Sequence, residues 1–267
     1  MWLIAGITIK ECLRNRALQG IMAIALLLCL VFLTIIPMFA FDTGKVAVDF
    51  GFSSMTLAGL TIVIFLGISL LARDLHERTV TMILARPVSR KEYVIGKYLG
   101  LSFSVFVAVT SIALLSTAII WLGIKFSIVM VEPRNFSFLV LITAIGFQFL
   151  SLLLLLVIAF FLTCLTTSEY LTMLFTVCVY IIGNSLETII EVVKSGEFVN
   201  VGKSYLTLLE LLAWIFPNFN AFDLKVYLAY GIPLPIGQLF WVFLYGLFYI
   251  AVVGFFTLWI FERKEIC

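Results

Sequence analysis

Reactive side chains are scarce in this sequence, and most of them crowd into one stretch. Residues 72–100, ARDLHERTVTMILARPVSRKEYVIGKYLG, hold Arg73, Arg78, Arg86, Arg90, Lys91 and Lys97, six of the chain's 17 Lys and Arg residues. Asp74, Glu77, Glu92 and the sole histidine, His76, share the stretch. The apolar runs on either side carry no Lys or Arg. Such a run can dock against a partner, lie on anionic lipid, or mark the side of a membrane on which it stays.

The other reactive groups are few. Glu187 and Glu191 stand at i, i+4 spacing, the arrangement of a two-carboxylate site, but without His or Asp nearby they read as the solvated end of a helix. Gly202-Lys203-Ser204 imitates the end of a phosphate-cradling loop, yet position 197 is Glu and Gly196 falls one residue early. His76 among charged neighbours reads as a surface or docking residue. Glu169 lies in a tight turn between two apolar runs and is a possible second contact on the cytoplasmic side. The five cysteines show no paired spacing, which argues against a disulfide framework or a zinc site. No metal ligand set and no catalytic set follows from these residues.

The elements that position these groups are set by composition. Hydrophobic residues make up 63% of the chain, charged residues 12%, and the mean hydropathy is +1.21. Soluble proteins carry about a quarter charged residues, so the chain reads as an all-α, polytopic membrane protein forming a single domain over 1–267. The net charge of +2 gives no case for nucleic acid. A spanning helix needs about 20 mainly apolar residues. Six segments qualify: 17–41, 52–72, 98–124, 136–165, 170–187 and 235–261.

Lys and Arg counts orient these spans. With the N-terminus inside, the cytoplasmic pieces hold 11 basic residues and the outer pieces 6, over more sequence. Both termini are therefore expected in the cytoplasm. Residues 205–216, YLTLLELLAWIF, are too few to span and contain Glu210, so they predict a re-entrant or interfacial helix. If they did span, the C-terminus would lie outside. Residues 1–16 predict an interfacial helix with Thr8, Lys10, Glu11, Arg14 and Asn15 on one arc and Ala5, Ile9, Cys12 and Leu13 opposite. An ordinary solvated lead into the first span is the alternative.

Within 72–100, Pro87 splits the segment, because a proline disfavours helix at the residue before it. Arg73 to Arg86 predicts a short helix leaving the second span. Ser89-Arg90-Lys91-Glu92 then has the spacing of a capping box, with Val88 and Tyr93 at the positions of a hydrophobic staple. The helix so begun runs through Gly96 and Gly100 into the third span. Its predecessor mixes charge with Leu75, Val80, Met82, Ile83 and Leu84, which a solvated connection does not need. Docking against a cytoplasmic partner explains that surface, and adhesion to the membrane surface is the alternative.

At this point the sequence resembles the coupling region of ABC-2 type transporter permeases. The matching positions are Arg73, Asp74, Glu77, Arg78, Thr79, Leu84, Arg86, Pro87, Val88, Ser89, Arg90, Tyr93, Gly96 and Lys97. Residues 216–235, FPNFNAFDLKVYLAYGIPLP, are similar to the extracellular segment before the family's last span, and Glu262-Arg263-Lys264 to its basic ending. The resemblance covers nearly the whole chain, apart from the polar stretch 187–205. It implies the membrane subunit of an ABC exporter in a bacterial cytoplasmic membrane, with six helices per subunit and a second permease subunit, as a homodimer. It also implies a separate ABC ATP-binding subunit docking on the cytoplasmic helices. No cofactor would be bound by this chain, and ATP and Mg would sit on the partner subunit.

The spans agree with an external power source. Ion-coupled transporters place ionisable groups within the membrane, where they are costly and functional. Here the deeper strongly polar residues are Gln148, Asn184 and Gln238. A non-transporting scaffold or assembly factor driven by the same kind of ATPase is the alternative function. An intramembrane enzyme is disfavoured, since no Ser/His, His/Glu or Asp pair falls within the spans.

Overall fold

The structure, a computed structural model, describes residues 2–35, 43–76, 89–125, 138–166, 168–195 and 203–263, and among them the regular elements are all helical. In chain order they are α1 (Trp2–Arg14), α2 (Arg16–Ile35), α3 (Thr43–Thr61, continuing through a π-helical stretch Ile62–Ile68 into Ser69–His76) and α4 (Arg90–Lys125). Then come α5 (Phe138–Leu165), α6 (Glu169–Lys194), α7 (Lys203–Ile215), a 3-10 turn Asn220–Phe222, α8 (Lys225–Tyr230) and α9 (Ile236–Arg263).

Five of these, α3, α4, α5, α6 and α9, are long and apolar enough to cross a bilayer. The first expected span, 17–41, coincides with α2, whose described part ends at Ile35. Asn15 separates α1 from α2, and its side-chain oxygen accepts the Ala17 N–H at 2.9 Å, a helix N-cap. The helix of 205–216 is found as α7, 13 residues, about 20 Å long and too short to cross.

Boundaries differ where charges interrupt the apolar pattern. The second span was expected from 52, but α3 starts at Thr43 and carries Lys45 and Asp49 within the helix. The Lys45 ammonium sits 4.4 Å from the Tyr230 ring centroid, so a cation that reads as a loop residue is accommodated on a helix flank. The fifth span was expected to close at 187, but α6 continues to Lys194, whose ammonium meets Glu210 of α7 at 2.9 Å.

The centre of the bundle is α5. Leu152, Leu154, Leu155, Leu156, Ala159 and Phe160 are buried, enclosed by α3, α4, α6 and α9. The π-helical stretch of α3 lies against it, with Ile62, Val63, Leu66 and Ile68 buried. By contrast α9 packs along α5 with one narrow face and leaves Trp241, Phe248 and Phe255 exposed, as a lipid-facing helix does.

Residues 216–224 fold back onto α6. The Phe219 N–H donates to the Gly183 carbonyl at 3.1 Å, and Tyr180 packs on the Phe219 ring at 5.3 Å. A Cβ at Gly183 would lie 2.2 Å from the Pro217 carbonyl oxygen, so only glycine permits this backbone crossing. Gly183→Ala is expected to cost about 1–3 kcal/mol through overpacking, seen as a lower midpoint of thermal unfolding in detergent. Gly146→Ala, whose Cβ would meet open space, should leave that midpoint unchanged or raise it.

Candidate functional site

Glu11, Arg73, Lys91, Lys97 and Glu262 meet near the start of α4. Both halves of the capping box form: the Ser89 N–H donates to Glu92 Oε2 at 3.2 Å, and the Glu92 N–H donates to Ser89 Oγ at 3.3 Å. The Tyr93 N–H closes the first helical turn on the Ser89 carbonyl at 3.1 Å. The staple partner Val88 lies outside the described residues. Tyr93 itself is fully buried and stacks on Phe261 of α9, ring centroids 6.2 Å apart.

Two carboxylates from opposite ends of the chain hold this start of α4. Glu262, at the end of α9, meets the Lys91 ammonium at 3.1 Å. Glu11, on α1, divides its oxygens: Oε1 accepts from Arg73 at the end of α3, and Oε2 lies 3.6 Å from the Lys97 ammonium. The Lys97 side chain is only 6% exposed while Arg73 is half exposed. A cation so shielded is costly to hold unless an anion comes to it. Glu11 reaches it because α1 lies directly on α4. A Cβ at Gly100 would stand 2.6 Å from Thr8 Cβ and 2.9 Å from the Ala5 carbonyl oxygen, a small-residue crossing of two helices.

That seating reverses part of the expected α1 pattern. Thr8 belongs to the polar arc by its residue type, yet it is buried against α4, its hydroxyl donating to the Ile4 carbonyl at 2.9 Å. The backbone bond removes its need for water. Trp2, Leu3 and Ile7 face outward instead. Cys12, beside Thr8 on the docking face, is buried. Burial pushes its thiol pKa up, the Ser104 hydrogen bond opposes this, Glu11 adds to it and Lys97 offsets it.

Among the expected site residues, the structure therefore brings together Arg73, Ser89, Tyr93 and Lys97. Gly96 is buried within α4, and Asp74 and Arg90 lie on the helical backbone of α3 and α4. Glu77, Arg78, Thr79, Leu84, Arg86 and Pro87 lie outside the described residues, as do Met82 and Ile83. Glu169 stands in the first turn of α6, where a carboxylate suits the helix dipole. It makes no ion pair with either clasp among the described residues. Sequence reasoning did not single out Glu11. Its signal is that it is the sole acidic residue in the first 41.

Away from these pairs, Gln148 and Asn184 of the deeper polar residues converge, whereas Gln238 is exposed in the first turn of α9. Gln148 Nε2 donates to Thr56 Oγ1 at 2.9 Å, joining α5 to α3. Both line a cavity of about 240 Å³ together with Ser53, Ser151, Tyr180 and Asn184. Asp223 and Lys225 also border it and pair with each other at 2.9 Å. The lining thus combines neutral hydrogen-bonding groups with one ion pair.

Five long apolar helices, joined through close small-residue crossings and carrying their ion pairs near helix ends, define a multi-pass membrane protein. The family model described as ABC-2 family transporter protein matches residues 2–266. The chain belongs to that family and is, in general terms, the permease component of an ABC transporter. A search of curated proteins gives no match.

The capping box gives a direct check on the start of α4. Ser89→Ala removes one half of it, a loss of about 1 kcal/mol. Backbone amide exchange in the first turn of α4 should then quicken about fivefold, with exchange in α5 unchanged.

Proposed function

We propose that this chain is the membrane subunit of an ATP-driven exporter, in which a separate ABC ATP-binding subunit binds ATP and Mg and works on the segment 73–97. The observation that carries this reading is the double clasp at the start of α4. Glu262 on Lys91 and Glu11 on Arg73 and Lys97 fasten the return of the charged segment to the first, third and last helices. A push that reaches either end of the segment is passed to the bundle through these pairs.

In this mechanism the end of the bundle bearing α1, the end of α3 and the start of α4 faces the cytoplasm. Closure of the ATPase shifts 73–97, and α4, a continuous helix of 36 residues, carries the shift into the membrane. Two copies of the chain form the working unit in a bacterial cytoplasmic membrane. The polar cavity around Gln148 and Thr56 offers a passing solute hydrogen-bond partners that lipid does not supply. Catalysis resides on the partner, and this chain acts by changing shape.

Tagged chain extracted in mild detergent should bring down a nucleotide-binding subunit, and reconstituted complex should show ATP-dependent efflux. ATP hydrolysis without efflux of any cargo would instead favour the scaffold function. Replacing Glu77 and Arg78 together should reduce coupled ATPase activity at least about tenfold, equivalent to 1.4 kcal/mol of coupling, while insertion and yield stay unchanged.

A further inference from the structure

We propose that Glu11 is a positioning residue: its carboxylate latches the N-terminal helix α1 to the end of α3 and the start of α4, so that these three move as one body. The latch is defined by geometry within this chain, and its motion during turnover rests on the exporter reading above.

Arg73 and Lys97 bracket the segment, one on the last turns of α3 and the other about two turns into α4. Glu11 contacts both, one oxygen to each. A single side chain on a third helix thus ties the two ends together.

The contacts of α1 are one-sided. Ile4, Ala5, Thr8 and Cys12 are buried, and the crossing at Gly100 seats this face on α4. Trp2, Leu3, Ile7 and Leu13 remain exposed. The backbone of α1 scarcely approaches the last turns of α3. The Glu11–Arg73 pair joins α1 to the end of α3 directly.

The two halves of the latch differ in character. Lys97 is shielded, so its contact with Glu11 is little screened by salt or water. Arg73 is half exposed and can release.

Cys12, one residue from Glu11, reports on the seat. It is buried on the face of α1 that lies on α4, and a buried thiol with a raised pKa reacts slowly with alkylating agents, since the thiolate is the nucleophile. Loosening α1 exposes it and returns it toward its ordinary acidity.

The test uses the full chain in membrane vesicles, N-ethylmaleimide as probe, and peptide mass spectrometry to read each cysteine separately. Glu11→Gln, which loses both contacts, should speed Cys12 alkylation about tenfold, and Arg73→Gln, which loses the half-exposed pair, about threefold. The double variant should be no faster than the faster single, because both break one latch. Arg73→Gln is the decisive single variant, since it opens the latch without removing the carboxylate beside the thiol. Arg73→Lys, which keeps the charge, should keep Cys12 protected, and Lys91→Gln, which opens only the Glu262 clasp, should leave it unchanged. Buried Cys164 serves as the folding control and stays protected throughout.

Wild-type protection of Cys12 in Arg73→Gln, or independent, multiplying effects of the two single variants, overturns the latch. In vesicles containing the ATPase subunit, trapping with Mg, ATP and vanadate should change Cys12 alkylation in the wild type and not in Arg73→Gln. A change that persists in Arg73→Gln overturns the joint motion. If wild-type chain recovers no ATPase subunit, the exporter reading fails, and the nucleotide-free comparison still decides the latch.

Discussion

A lysine ammonium held away from water within a helix of an apolar bundle sets the arrangement of one whole end of this molecule. Removing a cation from water costs several kcal/mol unless an anion accompanies it. Lys97 is accompanied by Glu11, which must be delivered by a helix lying flat against α4. That demand explains the close crossing at Gly100 and the self-satisfied hydroxyl of Thr8 on the docking face. It also explains why the amphipathic first helix turns a protein-facing side inward and Trp2, Leu3 and Ile7 outward.

The same end gathers the chain's extremes. Glu262 closes on Lys91 while Phe261 stacks on Tyr93, so the last helix grips the first turn of α4 by charge and by ring contact together. Exposed ion pairs contribute little individually. Here their weight is geometric, because they converge on a few residues that lead into one long helix. A fully buried tyrosine one residue beyond the capping box fixes the direction in which α4 leaves.

The deeper polar groups obey a different rule. Gln148, Thr56, Ser53, Ser151 and Asn184 are neutral, and Gln148 and Thr56 satisfy one another across α3 and α5. Asp223 and Lys225 at the border of the same cavity are paired. Neutral hydrogen-bonding groups cost far less to enclose than charges do, and the two charges that reach this cavity neutralise one another. The backbone crossing at Gly183 holds the residues 216–224 that help form it.

Local features were readable in the sequence because their partners are a few residues away. The capping box spans only Ser89 to Glu92, and both of its hydrogen bonds form. The long apolar runs likewise announce their helices, since hydrocarbon leaves a backbone no other way to satisfy itself. Charges misled where a helix tolerates them on a flank: Lys45 and Asp49 belong to α3, and α6 continues past Glu187 to Lys194. Hydropathy falls at a charge, but backbone hydrogen bonding does not stop there. Thr8 was misassigned because residue type says nothing about which face another helix will cover. The role of Glu11 depends on Arg73, 62 positions away, and on the packing of α1 against α4. Periodicity and composition state what each helix is. Which helices touch, and therefore which charges meet, follows from three-dimensional packing, because an ion pair is a matter of distances in space and not of spacing along the chain.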